Sequence, residues 1–157
     1  MNEKNDLVTK SLVVRAPVEV AWRVFTAELG KWWPLESHKI GAVPAVDAVI
    51  EPRAGGRWYE RGEDGSTCDW GRVLAWEPPR RLVLSWEISA DWKHDPELMT
   101  EVEVGFVASE GGTQVTLVHR HLDRFGARAA EMLEIFASPG GWDGLLAGFA
   151  ARVAAGL

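Results

Sequence analysis

The sequence between residues 46 and 121 is divided into short β-rich segments by closely spaced turn signals. About six strands are predicted there, and all but one of the connections between them have the length of a hairpin. Such short connections require neighbouring strands to run antiparallel, so this region is predicted to form an antiparallel meander. The predicted strands cover residues 46–51, 56–61, 67–76, 81–88, 99–108 and 113–121.

Residue alternation in the last two strands predicts a sheet with one solvated face. Val102, Val104 and Phe106 alternate with Glu101 and Glu103, which places apolar and charged side chains on opposite faces. The apolar face must therefore be covered by other parts of the chain.

Segments on either side of the meander can supply this cover. Residues 7–15 are predicted to form a further strand, and Ala16-Pro17 is a favourable start for a first helix. A short second helix is expected to end at Trp32-Trp33-Pro34. After the meander, helical spacing over residues 125–136 and from Trp142 onwards predicts two more helices, separated by a Ser-Pro-Gly-Gly break.

Length and composition favour a soluble protein with one domain over residues 1–157. Its single cysteine, Cys68, excludes an internal disulfide framework and fits a reducing compartment. The net charge of −6, with mostly scattered basic residues, disfavours nucleic acid and anionic membranes as partners. A polar N-terminus and the lack of a long apolar run lead us to expect a cytoplasmic protein with no membrane insertion.

Tryptophan is unusually abundant, with nine residues against five Phe and one Tyr. A domain of this size needs only a few as core anchors, so the others are expected to line a concave site or contact a partner. Trp92, in a polar loop, is predicted to be exposed and to serve as a dimer contact or a lid.

The stretch GGRWYE at residues 55–60 places Trp58 and Glu60 on one face of a predicted strand. If that face is buried, the Glu60 carboxylate needs polar partners, because an isolated buried charge is costly. The alternative is a bulge near Gly62 that reverses the register and leaves Glu60 in solvent. The sequence leaves both possibilities open.

Recognisable catalytic motifs are absent: there is no nucleophile elbow, phosphate-binding glycine loop or His-Glu-x-x-His. Cys68 stands beside Asp69, whose charge should raise the pKa of the thiol. His119 and His121 are predicted to share a strand face, but two imidazoles do not make a metal site, so neither a metal nor a cofactor is predicted. His119 is instead expected to form hydrogen bonds in or beside a cavity.

Several local motifs occur in an order that resembles the bacterial SRPBCC proteins named after the activator of the Hsp90 ATPase. The resemblance covers nearly the whole chain. The motifs are Ala16-Pro17, Trp32-Trp33-Pro34, Glu51-Pro52-Arg53, Gly55-Gly56-Arg57-Trp58, Trp70-Gly71-Arg72-Val73, Glu77-Pro78-Pro79-Arg80-Arg81-Leu82, Ser85-Trp86, Thr113 to His119, and Gly141-Trp142.

The resemblance implies an α+β helix-grip fold of the Bet v 1 and START type. In this fold a curved antiparallel sheet of about seven strands wraps around a long C-terminal helix, and two short helices follow strand 1. It also implies a cavity between sheet and helix that holds apolar or amphipathic small molecules. The residues expected to line it are Trp22, Trp32, Trp33, Trp58, Glu60, Trp70, Trp86, Phe106, Leu117, His119, Trp142, Leu146 and Phe149.

The primary functional hypothesis is that the chain binds such a molecule without transforming it. A second hypothesis is a cyclase-like or hydrolase-like enzyme that uses Glu60 and His119 as acid and base. A third is a module that acts on a chaperone ATPase. This third hypothesis is disfavoured because the eukaryotic activators make much of that contact through another domain. The resemblance and the exposed aromatic residues also suggest a homodimer.

Overall fold

The computed structural model describes residues 6–156 and contains one seven-stranded antiparallel sheet. The order of the strands in the sheet is β1-β7-β6-β5-β4-β3-β2, which is a meander from β2 to β7 with β1 added beside β7. Residues 1–5, the start of the predicted polar N-terminus, lie outside the described residues. The strands are β1 Leu7–Val14, β2 Ala45–Ile50, β3 Arg57–Gly62, β4 Thr67–Glu77, β5 Arg81–Trp86, β6 Thr100–Ser109 and β7 Gly112–Arg120.

These strands confirm the predicted meander, with every end within two residues of its predicted position. The alternation in the last hairpin explains its register. Val104 pairs with Leu117 and Phe106 with Val115, so apolar side chains from both strands meet on the inner face. All four residues are at most 2% exposed, as expected for a face that is covered by helices.

Helices cover the concave face of the sheet. They are α1 Val18–Thr26, α2 Leu29–Trp32, α3 Ala129–Ala137 and α4 Gly144–Ala155, with a 3-10 segment at Leu122–Arg128 and a π-type turn at Pro139–Asp143. Phe149 of α4 packs against Phe25 and Trp32, with ring centroids 5.3 and 5.6 Å apart. None of the helices within residues 6–156 is long and apolar enough to cross a membrane.

The C-terminal helical region is interrupted at Gly141. Its backbone (φ −98°, ψ −130°) is not helical, and it passes so close to the carbonyl oxygens of Ile135 and Phe136 that no side chain could fit. The final α-helix therefore begins at Gly144, two residues after the predicted start at Trp142, and has 12 residues. The curved sheet and this helix have the helix-grip arrangement, which confirms the predicted fold class.

The contact between Trp58 and Gly71 fixes the relative positions of three strands. Trp58 in β3 pairs with Gly71 in β4, and the Trp58 indole crosses Gly71 to donate a hydrogen bond from Nε1 to the Ser85 carbonyl in β5, at 2.7 Å. A Cβ at residue 71 would overlap that carbonyl oxygen and lie 2.6 Å from Nε1. Only glycine leaves room for this crossing.

We expect the substitution Gly71→Ala to destabilise the fold by roughly 2 kcal/mol or more, because the methyl group must displace the indole or the β5 backbone. The matched control is Gly105→Ala in β6, where a Cβ would meet nothing within 4 Å. That change should leave stability within about 0.5 kcal/mol or raise it slightly. Urea unfolding of both variants tests this, and equal effects would contradict the role given to Gly71.

Candidate functional site

A cavity of about 450 Å³ lies between the sheet, α3 and α4, within the size range of small-molecule sites. Residues from β4, β5, α3, the π-type turn, α4 and two loops form its wall. Most of the lining side chains are apolar or aromatic. The lining residues are Trp33, Ser37, His38, Lys39, Ile40, Trp70, Trp86, Ile88, Trp92, Ile135, Phe136, Gly140, Gly141, Trp142 and Leu145.

Four of the predicted ligand-binding tryptophans lie on this wall: Trp33, Trp70, Trp86 and Trp142. They come from four different parts of the chain yet contact one another. The ring of Trp33 is 5.0 Å from that of Trp70 and 6.1 Å from that of Trp142, which in turn is 5.8 Å from Trp86. The result is a continuous aromatic surface at aromatic contact distance.

The other predicted ligand-binding residues do not line this cavity. Trp58 is 1% exposed and lies behind the wall, with its ring 5.2 Å from that of Trp70. The remaining apolar members are buried core residues packed beneath α1, α2 and α4, because those helices fill that part of the concave face. They are Trp22, Trp32, Phe106, Leu117, Leu146 and Phe149.

The Glu60 carboxylate is 2% exposed and faces inward beside Trp58, so the alternative with Glu60 in solvent is wrong. The register does shift beside Gly62, but the extra residue is Val46 in β2, and the orientation of β3 is unchanged. Its oxygens accept hydrogen bonds from the backbone N–H of Ile40 at 2.7 Å and of Gly41 at 3.0 Å, and from Trp70 Nε1 at 2.8 Å. Three donors compensate for the loss of hydration. Glu60 therefore attaches the loop between α2 and β2 to the sheet.

A second buried carboxylate, Glu87, holds the loop on the other side of the cavity. It is also 2% exposed, and it accepts hydrogen bonds from Ser85 Oγ at 2.5 Å and Arg72 Nε at 3.2 Å. Its other oxygen lies 3.0 Å from His94 Nε2. His94 belongs to the loop that carries Trp92, so each loop at the cavity is tied to the sheet by one buried glutamate.

His119 is fully buried, and its hydrogen bonds define its tautomer. Trp142 Nε1 can only donate, so Nδ1 of His119, 3.1 Å away, must accept. Nε2 therefore carries the proton and donates to Thr100 Oγ1 at 2.9 Å, which donates to the Trp86 carbonyl at 3.2 Å. Burial lowers the pKa of His119 from 6.5 to about 3. This chain of hydrogen bonds positions Trp142 on the cavity wall.

Three consecutive residues give the cavity its polar corner. His38 Nε2 lies 2.8 Å from the Gly140 carbonyl, which can only accept, so this nitrogen is protonated. His38 Nδ1 is 2.8 Å from Ser37 Oγ, and the Lys39 ammonium donates to the Gly41 carbonyl at 2.6 Å. Sequence reasoning did not select these residues for ligand contact. The available signal was a stretch of polar residues that begins shortly after Trp32-Trp33-Pro34, where the second helix is predicted to end.

Trp92 lines the cavity and is 43% exposed, in agreement with its predicted exposure. Its backbone has φ of +62°, a conformation that costs about 1 kcal/mol or more for a residue with a side chain. The loop that Glu87 anchors to the sheet through His94 holds Trp92 in this conformation. Whether Trp92 is a lid or a dimer contact stays a prediction.

The two predicted strand histidines separate in the structure. His121 follows the last residue of β7 and has φ of +67°, which turns its side chain towards Glu101 at 3.8 Å, whereas His119 points into the core. The expectation that they share a face is therefore wrong, because the strand ends between them. No group of three potential metal ligands occurs within residues 6–156.

The pKa of the Cys68 thiol is raised. Burial is the main cause, and the negative charges of Glu60 and Asp69 contribute.

One buried nitrogen of a cavity-lining residue has no hydrogen-bond partner within the described part of the chain: Nε1 of Trp86. The Nε1 groups of Trp58, Trp70 and Trp142 all donate hydrogen bonds. An unpaired buried donor costs about 1–3 kcal/mol, and such groups are often found at functional sites.

We expect Glu60→Gln to destabilise the protein by roughly 2 kcal/mol, because an amide provides only one acceptor oxygen for three N–H donors. Glu63→Gln is the matched control, since Glu63 is exposed in the adjacent turn. Chemical unfolding gives the stability difference, and amide hydrogen exchange at Ile40 and Gly41 should show faster exchange only in the first variant. Unchanged exchange there would contradict the attachment role of Glu60.

The pKa of His119 predicts a specific dependence of stability on pH. The unfolded state takes up a proton near pH 6.5 whereas the folded state does so only near pH 3, so stability should fall as the pH is lowered between these values. From pH 6.5 to pH 5 the loss due to this residue should be about 1.5 kcal/mol. The variant His119→Gln cannot titrate, so its unfolding free energy should lack this component. Parallel pH profiles for the two proteins would refute the assignment.

Comparison with known proteins supports the family resemblance. The family model for Activator of Hsp90 ATPase homolog 1-like protein matches residues 15–154. A search of curated proteins finds no match. Among solved structures, the anthrahydroquino-γ-pyrone synthase Txn09, solved as a complex, is 39% identical with a TM-score of 0.65, and the alignment covers 98% of this chain and 99% of that chain.

Two further structures resemble this one. CalC, a self-sacrificing resistance protein from Micromonospora echinospora, is 29% identical with a TM-score of 0.68, covering 95% of this chain and 94% of that chain. Protein NE0264 from Nitrosomonas europaea is 16% identical with a TM-score of 0.70, covering 100% and 99%, and shows the fold alone. The match of the family model over almost the entire sequence shows that this chain belongs to the Activator of Hsp90 ATPase homolog 1-like family.

Proposed function

We propose that this protein binds a planar, polycyclic aromatic small molecule in the 450 Å³ cavity. The observation that carries the proposal is the concentration of five of the nine tryptophans on the wall of one cavity: Trp33, Trp70, Trp86, Trp92 and Trp142. Flat indole faces offer large contact areas to a flat aromatic ligand, and offset or edge-to-face contacts add to the gain from burial.

The rigidity of the wall supports a binding role. The loops on two sides are tied to the sheet by Glu60 and Glu87, and Trp142 is held by His119. A wall that is ordered before the ligand arrives loses less entropy on binding.

The name of one relative points to the same ligand class. The name of Txn09 describes a product with an anthrahydroquinone, a fused three-ring system, joined to a γ-pyrone. CalC is described as a resistance protein. A cavity that accommodates a small molecule is compatible with either description, because both synthesis and resistance can begin with binding of a small molecule.

The identity to Txn09 favours a second candidate function, a synthase-type enzyme that closes a ring on such a molecule. The cavity-lining groups that could move a proton are His38 and Lys39. The polar atoms of the earlier acid–base candidates, Glu60 and His119, are all engaged by protein groups. Catalysis by that pair would first require these hydrogen bonds to break.

We expect anthraquinone-type compounds to quench the tryptophan fluorescence of this protein saturably. The variant Ile135→Trp should weaken that binding by about tenfold or more, because Ile135 lines the cavity and the larger side chain occupies ligand space. The matched control is Leu133→Trp, on the same helix and similarly half-buried but away from this cavity. It should bind like the wild type.

Equal binding by both variants, or no saturable response from the wild type, would refute the binding site. Mass analysis of the ligand after the same incubations separates the two candidate functions. A change in ligand mass or structure that requires wild-type protein and is lost in Ile135→Trp supports the enzyme, whereas an unchanged ligand supports binding alone.

A further inference from the structure

We propose that Lys39 makes this cavity selective for aromatic ligands that carry an anionic oxygen, either a carboxylate or an ionised phenol. The inference rests on the proposed binding function and specifies its ligand class. Lys39 would contact the ligand directly, as a residue that determines specificity.

The charge distribution of the wall is the first argument. Among the described residues that line the cavity, Lys39 alone carries a formal charge at neutral pH. No ion pair within residues 6–156 includes it. The buried carboxylate that anchors this loop to the sheet, Glu60 of β3, has its oxygens occupied by three N–H donors.

The donor capacity of the ammonium is the second argument. A lysine has three N–H donors, and the hydrogen bond to the Gly41 carbonyl uses one of them. Two donors therefore remain for a ligand oxygen. A carboxylate or phenolate would form charge-assisted hydrogen bonds there, which are about twice as strong as neutral ones.

The surroundings of Lys39 are the third argument. A ligand that fills the space between the tryptophan rings displaces water, and the attraction between opposite charges grows as water is removed. The net charge of −6 gives the protein no general attraction for anions, so selection for an anionic group must arise locally. The same lysine would disfavour a cationic ligand.

The local structure does not depend on the Lys39 side chain. Glu60 and the hydrogen bond between His38 and Gly140 already hold this loop, and the Lys39 contact reaches a backbone atom only two residues away. A substitution at residue 39 is therefore expected to fold, with an unchanged melting temperature as the check.

The test compares two probes of similar shape, anthraquinone-2-carboxylate and neutral 2-methylanthraquinone, by fluorescence titration at two salt concentrations. We expect Lys39→Met to weaken binding of the carboxylate by about tenfold or more and that of the neutral probe by less than about twofold. Lys39→Arg should restore much of the preference. Lys31→Met removes an exposed lysine from α2 that does not line the cavity, and should leave both affinities unchanged.

Three results would overturn the inference. If both probes bind the wild type equally, or if Lys39→Met weakens both to the same degree, Lys39 does not select for charge while the binding function itself stands. If Lys31→Met has the same effect as Lys39→Met, the selectivity comes from net charge. If neither probe binds the wild type saturably, the proposed aromatic-ligand function fails, and this inference fails with it.

Discussion

The cost of burying a negative charge governs the architecture around the cavity. Glu60 and Glu87 are both 2% exposed, and protein N–H and O–H groups replace the hydration that each carboxylate loses there. Some of their partners belong to the sheet, and others belong to two irregular loops: Ile40 and Gly41 for Glu60, and His94 for Glu87. The two buried carboxylates need hydrogen-bond donors, and this need determines where the two loops run. The loops in turn enclose the space between the sheet and α3.

The aromatic residues fall into two groups with different roles. One group, which includes Trp22, Phe25 and Phe149, forms a buried core of contacting rings beneath α1 and α4. The other group surrounds the cavity, and three of its members, Trp33, Trp70 and Trp142, are fixed by hydrogen bonds from their indole nitrogens. Trp70 is held by Glu60 and Trp142 by His119. Polar anchoring, rather than close packing, maintains the space between these rings.

The strands could be predicted from the sequence because residue alternation and turn residues act locally. The sequence left two registers open for the strand that carries Trp58 and Glu60, and the structure has the one in which both side chains face inward. The polar corner at Ser37, His38 and Lys39 could not be predicted, because those residues face the cavity only through contacts with distant residues such as Gly140. Which tryptophans belong to the core and which to the cavity wall also depends on contacts between distant residues, so this division could not be predicted either. The turn at His121 depends on where β7 ends, which alternation alone does not define.

The spacing of four cavity-lining tryptophans and of Trp58 behind them also has an optical consequence. Trp33, Trp58, Trp70, Trp86 and Trp142 form one connected network, with neighbouring ring centroids 5.0 to 6.3 Å apart. At such separations the transition dipoles of the indoles couple, and an excitation absorbed by one ring passes rapidly to the others. The five rings therefore share their excitation energy, and an acceptor molecule in contact with one of them can quench the fluorescence of all five.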